Sequence, residues 1–195
     1  MPRTTDDGRM GRLEVIAGPM FAGKTEELVR RVHRAQVARR GVLVVGHELD
    51  TRSGPGRVAS HSGLEVPSRS VGEAGQILAL VADGTELVAV DEAQFFGPDL
   101  VDVATALADA GLVVVVAGLS VTFDGRAFQP VADLVAVAES VTKLTAVCAV
   151  CGRDAAFHVR LEAVPTGDDD ALAPTSGHVG GAESYEARCR RHRHG

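Results

Sequence analysis

Eight residues near the start of the chain, Gly18-Pro19-Met20-Phe21-Ala22-Gly23-Lys24-Thr25, have the spacing G-x-x-x-x-G-K-T. Successive backbone N–H groups in such a loop form a nest for an anion, and a helix that follows adds the partial positive charge of its N-terminus. The lysine of this pattern reaches the β- and γ-phosphates of a nucleoside triphosphate, and the threonine hydroxyl ligates Mg²⁺. The flanks agree with a Walker A loop: a strand-like run at 13–17 precedes it and a helix-like run at 26–32 follows. A glycine-rich turn with an incidental lysine would lack that pair of flanks. A regulatory nucleotide site without turnover would share them and stays open.

A second group lies in LVAVDEAQFF, residues 87–96. Asp91 directly follows four apolar residues, which places it at the C-terminal edge of a sheet, where open α/β folds bind ligands. There it can hold Mg²⁺ beside Thr25, directly or through water. Glu92, the next residue, can serve as a general base on an attacking water or alcohol. If the acceptor is an alcohol, water must be excluded. Phe95, Phe96, Phe123, Met20 and Phe21 all fall near expected strand ends or in the loop. Flat aromatic faces stack on a nucleobase. For each of them singly, ordinary core packing is an equal reading.

The third group is Cys148-x-x-Cys151 with Cys189-x-x-His192. Two such knuckles supply four soft ligands to one tetrahedral Zn²⁺ with no open position, a structural site. The rival is a redox pair at Cys148 and Cys151, which needs no partner pair. His194 competes with His192 as the fourth ligand. Three cysteines in all are too few, and odd in number, for an extracellular disulfide framework.

These groups need elements to position them. Apolar, β-branched runs at 13–17, 42–46, 87–90 and 112–117 suit parallel strands covered on both faces. Helical patterns lie between them at 26–39, 70–82 and 99–110. The alternation predicts an α/β fold, a P-loop NTPase-like parallel sheet flanked by helices. The run 130–138 fits helix or strand. Residues 50–69 read as an irregular functional excursion. Residues 143–147 and 155–163 read as strands, and 165–177, PTGDDDALAPTSG, as a flexible acidic loop. The expected organisation is a disordered tail at 1–12, a nucleotide-binding domain at 13–142 and a small zinc-binding domain at 143–195.

The chain of 195 residues has a formal net charge of -6, which disfavours a broad grip on nucleic acid despite the local RCRRHRHG. No stretch is long enough for a membrane span, and the N-terminus lacks a secretory h-region. A small-molecule substrate and a cytoplasmic location are the expectation. The rival class is an ATP-dependent, zinc-bearing nucleic-acid interaction or nucleotide-switch protein.

Taken in order, GPMFAGKTEELVRR at 18–31, DTR at 50–52, SHSG at 60–63, VDEAQFF at 90–96, AGLSVTF at 117–123, ESVTKLTAVCAVCG at 139–152 and VGGAESYEARCRRH at 179–192 resemble the type II thymidine kinases over nearly the whole chain. The resemblance implies transfer of the ATP γ-phosphoryl group to the 5′-hydroxyl of thymidine or deoxyuridine. It implies Glu92 as base, Asp91 as the Mg²⁺-associated carboxylate and Arg52 near the transferred phosphate, with Asp50 in the same loop. Met20, Phe95, Leu119 and Phe123 would enclose the thymine. Val179, Gly180, Gly181 and Tyr185 would form a lasso over the base, held by the zinc domain, and the assembly would be a homotetramer. Ser120 stands where many relatives carry aspartate, and Asp124-Gly125-Arg126-Ala127-Phe128 departs from their usual Arg-Gly and Pro-Phe. Because the phosphate loop and the zinc ligands lie in different expected domains, metal loss is expected to damage nucleoside affinity more than ATP affinity.

Overall fold

The apolar runs become the strands of one parallel sheet, and the reason is visible in how their side chains divide. The computed structural model describes residues 10–50, 56–59, 63–161 and 184–194. Its first half runs β1 (Arg12–Gly18), α1 (Lys24–Val37), β2 (Gly41–His47), β3 (Arg57–Ala59), β4 (Glu65–Pro67), β5 (Arg69–Val71), α2 (Gln76–Leu80) and β6 (Thr85–Val90). A 3₁₀ turn (Ala93–Phe95) follows, then α3 (Asp99–Asp109), β7 (Val113–Leu119), α4 (Val131–Val137) and β8 (Ser140–Lys143). The C-terminal part has β9 (Ala146–Val147), β10 (Asp154–Ala155), β11 (Phe157–Arg160) and β12 (Tyr185–Arg188).

The six-stranded sheet has the order β5-β2-β6-β7-β1-β8, and every pairing in it is parallel. Successive residues of a strand point to opposite faces. On β7, Val114 and Val116 therefore join one apolar cluster, and Val115 and Ala117 the other. On β6, Val88 and Val90 divide from Leu87 and Ala89 in the same way. The first face is closed by Ile77 of α2, Leu100, Val103, Ala104 and Leu107 of α3, and Val131 and Leu134 of α4. The second is closed by Leu28, Val29, Val32 and Ala35 of α1. Both faces are buried, so the strands carry continuous apolar sequence.

Four sequence expectations change. The helix expected at 70–82 is only α2, because Val71 instead pairs with His47 as part of β5. The Gln76 side chain accepts from the N–H groups of Gly72 and Glu73 and marks where the helix begins. The excursion at 50–69 holds a β3–β4 hairpin whose Val58 and Val66 are buried in the α1 cluster. The strand expected at 143–147 is split: Lys143 ends β8 beside β1, and Ala146 begins β9 in a separate two-stranded sheet. The expected strand at 155–163 is likewise two short strands, β10 and β11, through residue 160. The ambiguous run at 130–138 is helical.

Candidate active site and metal centre

Parallel strands deliver their C-terminal ends to one edge, and the loop at 18–25 meets Asp91 and Glu92 there. After β1 the chain crosses by α1 to β2, on the far side of β6 and β7, so the sheet edge has a switch in strand order beside the loop. The loop turns sharply away from β1 at Gly18. A Cβ at Gly18 would lie 2.9 Å from the Leu144 carbonyl oxygen and 3.1 Å from the Ala22 Cβ, so only glycine fits. Phe21 has φ 66, a left-handed backbone that a bulky residue rarely adopts and that tertiary contacts must support. Lys24 is buried, and its Nζ donates to the Pro19 carbonyl at 2.9 Å.

Asp91 extends β6, its N–H donating to the Val45 carbonyl of β2. The Thr25 hydroxyl donates to Asp91 Oδ2 at 3.0 Å, which joins the loop to the β6 edge across the intervening β7. Both Asp91 and Glu92 are buried. Glu92 has φ 52 and ψ 47, and its N–H donates to Asp91 Oδ1 at 3.0 Å. Two adjacent carboxylates thus leave the strand in different directions.

Met20, Leu119, Phe128 and Tyr185 form one buried cluster, with Phe21 and Phe123 packed against it. Phe95 is also buried, its ring centroid 5.8 Å from that of His47. Asp50 stands in the turn after β2, its N–H donating to the His47 carbonyl. Arg52, Val179, Gly180 and Gly181 lie outside the described residues. The departure at 124–128 folds on itself: Arg126 pairs with Asp124 at 2.6 Å, and Val121 bridges Ala127. The Ser120 Oγ is buried without a hydrogen-bond partner.

Besides Thr122, three buried polar residues escaped the sequence reading. Gln94 bonds both Glu92 and the Leu119 N–H. His47 accepts from the Leu49 N–H on Nδ1, bonds the Gly72 carbonyl through Nε2, and meets the Phe96 ring edge-on at 4.8 Å. Burial holds its pKa below the ordinary imidazole value, against the opposing pull of the Gly72 carbonyl and Glu48. His158 on β11 accepts from the Met20 N–H on Nδ1 at 3.5 Å, with its ring edge toward Tyr185. Period-two alternation marks β11 as a strand, but nothing local announces a partner 138 residues away in the loop.

At the C-terminal end, the ligand atoms of Cys148, Cys151, Cys189 and His192 all lie within 4.8 Å of one another. Cys151 Sγ is 3.8 Å from Cys189 Sγ, and His192 Nδ1 is 3.7 Å from Cys148 Sγ and 3.4 Å from Cys189 Sγ. Those separations are close to the edges of a tetrahedron around one metal with bonds of about 2.0–2.3 Å. His194 turns to Arg193 instead. Burial opposes ionisation of Cys148, yet the Cys189, Val150 and Cys151 amides and the His192 ring bring it down to about 5, toward the thiolate that binds metal.

The module does not stand apart from the loop. Phe21 and Ala22 pack on its small core of Ala146, Cys148, Ala155 and Ala187, and His158 reaches Met20. The loop at 18–25 and the Cys/His module therefore share a wall.

A family model described as thymidine kinase matches residues 11–193. The chain is 46% identical over 193 residues to a thymidine kinase of Deinococcus deserti, covering 93% of this chain and 94% of the relative. It is 44% identical over 182 residues to a thymidine kinase of Bdellovibrio bacteriovorus, covering 93% and 85% respectively. The chain belongs to the thymidine kinase family. Within the span matched to this family lie the phosphate loop, the paired carboxylates and the Cys₃His cluster together.

Proposed function

We propose that this chain transfers the γ-phosphoryl group of ATP to the 5′-hydroxyl of thymidine, or of deoxyuridine, giving the 5′-monophosphate and ADP in deoxynucleotide salvage. The observation that carries it is the Thr25–Asp91 hydrogen bond, which joins the loop to a carboxylate edge bearing Glu92, in a chain of the thymidine kinase family. The fold is read as a P-loop NTPase. The N–H groups from Gly18 to Lys24, the α1 N-terminus and the Lys24 amine bind the phosphates. Thr25 and Asp91 would hold Mg²⁺, which when bound neutralises charge on the β- and γ-phosphates. Glu92 accepts the 5′-hydroxyl proton as that oxygen forms its bond to the γ-phosphorus, and the bond to the β–γ bridging oxygen breaks. Arg52 would offset charge on the transferred group, with Asp50 fixing its loop.

Met20, Phe95, Leu119 and Phe123 would enclose the base, and Val179, Gly180, Gly181 and Tyr185 would close over it as the lasso. Cys148, Cys151, Cys189 and His192 would hold a structural Zn²⁺ that anchors residues 143–195 against the nucleotide-binding part at 13–142. A homotetramer in the cytoplasm, acting on small molecules rather than nucleic acid or membrane, completes the reading. The reading against nucleic acid is supported by the net charge of -6 and by Arg190 and Arg193, whose guanidinium groups lie 5.0 and 4.5 Å from the Phe157 ring centre. Among the described residues no helix is long and apolar enough to cross a membrane.

The test is ADP release from Mg-ATP with thymidine, deoxyuridine, deoxycytidine and purine deoxynucleosides in turn. Stimulation by thymidine and deoxyuridine is expected. Hydrolysis indifferent to every nucleoside would sink the kinase reading, and salt-sensitive oligonucleotide binding in its place would favour the nucleic-acid alternative.

A further inference from the structure

Gln94 sits two residues after Glu92 and is 2% exposed. Its amide meets a different part of the site at each end. Nε2 donates to Glu92 Oε2, and Oε1 accepts from the Leu119 N–H at 3.0 Å. Only one orientation of the amide satisfies both neighbours, since a carboxylate needs a donor and a backbone N–H needs an acceptor. We propose that Gln94 is a positioning residue for phosphoryl transfer, fixing the Glu92 carboxylate to the end of β7 so that the base and the Leu119 wall of the nucleoside pocket keep one spacing. The inference rests on Glu92 being the base.

Two further features of the backbone fit this role. Glu92 is left-handed, an uncommon state for a residue with a Cβ, so the direction of its side chain needs support from outside its own turn. Glycine at 118 lets β7 pack closely against Val131, Ala93 and the Gln94 amide. A Cβ at Gly118 would stand 2.6 Å from Val131 Cγ2, 3.0 Å from Ala93 Cβ and 3.3 Å from Gln94 Oε1. Its near neighbours in size do not do both jobs. Glutamate at 94 would set a second negative charge against Glu92. Methionine would fill the volume but leave the Leu119 N–H and Glu92 Oε2 without this bridge. Asparagine would be one methylene too short to span them.

A double-mutant cycle of Gln94→Met and Glu92→Gln tests the proposal in the full chain with Mg-ATP and thymidine. Gln94→Met is expected to lower kcat about 100-fold, the scale of a misplaced reacting group, with KM for ATP near that of the parent. In the Glu92→Gln background the same change should alter kcat by less than about 2-fold, because the two residues act as one unit. A merely structural Gln94 would lower activity by the same factor in both backgrounds, and that result would overturn the proposal. So would parent-like kcat in Gln94→Met with Glu92→Gln inactive, which leaves the base assignment standing. Full activity in Glu92→Gln would remove the base assignment and this inference together. Should Gln94→Met not fold, Gln94→Asn takes its place in the same cycle.

Discussion

The sheet edge and the Cys/His module hold their functional groups by different physics. At the edge, strands with side chains buried on both faces carry Asp91, Glu92 and the loop on two continuous apolar clusters. In the module, the cluster is Ala146, Cys148, Ala155 and Ala187, small side chains between two-stranded sheets. Such a core is too small to order a chain segment by burial alone, and a metal held by Cys148, Cys151, Cys189 and His192 would supply the cross-link that apolar volume does not. The difference also shows where the two solutions meet. Phe21, inside the phosphate loop, packs on the module's core and on the cluster of Met20, Leu119, Phe128 and Tyr185.

The largest effect that would break this comparison is loss of the metal. Structural zinc in small domains contributes about 10–16 kcal/mol of apparent binding energy. Chelation, or Cys151→Ser, is expected to unfold the module and weaken thymidine and ATP together. The chain has one Tyr and no Trp, so Tyr185 fluorescence reports on the module while far-UV circular dichroism reports mainly on the helices of the sheet. Chelation should change the first with much of the second intact. Loss of thymidine binding with ATP affinity untouched would mean that the shared wall carries no coupling.

The converse perturbation belongs in the sheet. Leu100 is fully buried under α3, and Leu100→Ala should cost about 2–5 kcal/mol through the cavity it leaves. A thermal melt would read this, and metal content per chain should stay at that of the parent. Metal lost along with sheet stability would show that the two regions unfold as one.

Smaller effects follow from pH. His47 is held neutral by burial, below its ordinary value of 6.5. Below pH 6.5 the unfolded chain binds a proton that the folded chain refuses, so stability present above 6.5 is lost as the pH falls toward the depressed value. Denaturant midpoints at pH 7.5 and 5.5 should differ in that direction, and His47→Gln should flatten the difference. Glu27 gives the smallest effect. Hydrogen bonding from Arg30 outweighs burial and, with Arg31, lowers it from 4.5 to about 2. Its contribution is present above 4.5 and is lost as the pH falls toward about 2. Glu27→Gln should cost about 0.3–0.5 kcal/mol per pair at neutral pH, as helix-surface pairs do, and should be nearly silent at pH 2.

Where chemistry and local pattern coincide, the sequence is easily read. The strands at 13–17, 87–90 and 112–117 are largely apolar because both faces are buried, and the two knuckle pairs have spacings that bring four metal-ligating atoms together. The misreadings share another cause, which is long-range pairing. Residues 70–82 have helical periodicity, but β2 draws Val71 into the sheet. Gln94 looks like an ordinary turn residue until β7 brings the Leu119 N–H to it. His158 alternates within its strand and shows its role only because the module folds back onto Met20. His192 rather than His194 joins the three cysteines, through the turn in which the His192 N–H bonds the Cys189 carbonyl, a juxtaposition that spacing leaves open.

The central claim is that the sheet edge moves a phosphoryl group with Glu92 as base. Its most direct measurement is thymidine-dependent ADP release by the parent chain and by Glu92→Gln, with ATP affinity titrated on the same preparations. A general base contributes about 10²–10⁴-fold. The variant should lose turnover on that scale while binding Mg-ATP as the parent does. Undiminished thymidine-dependent turnover in Glu92→Gln would contradict the account.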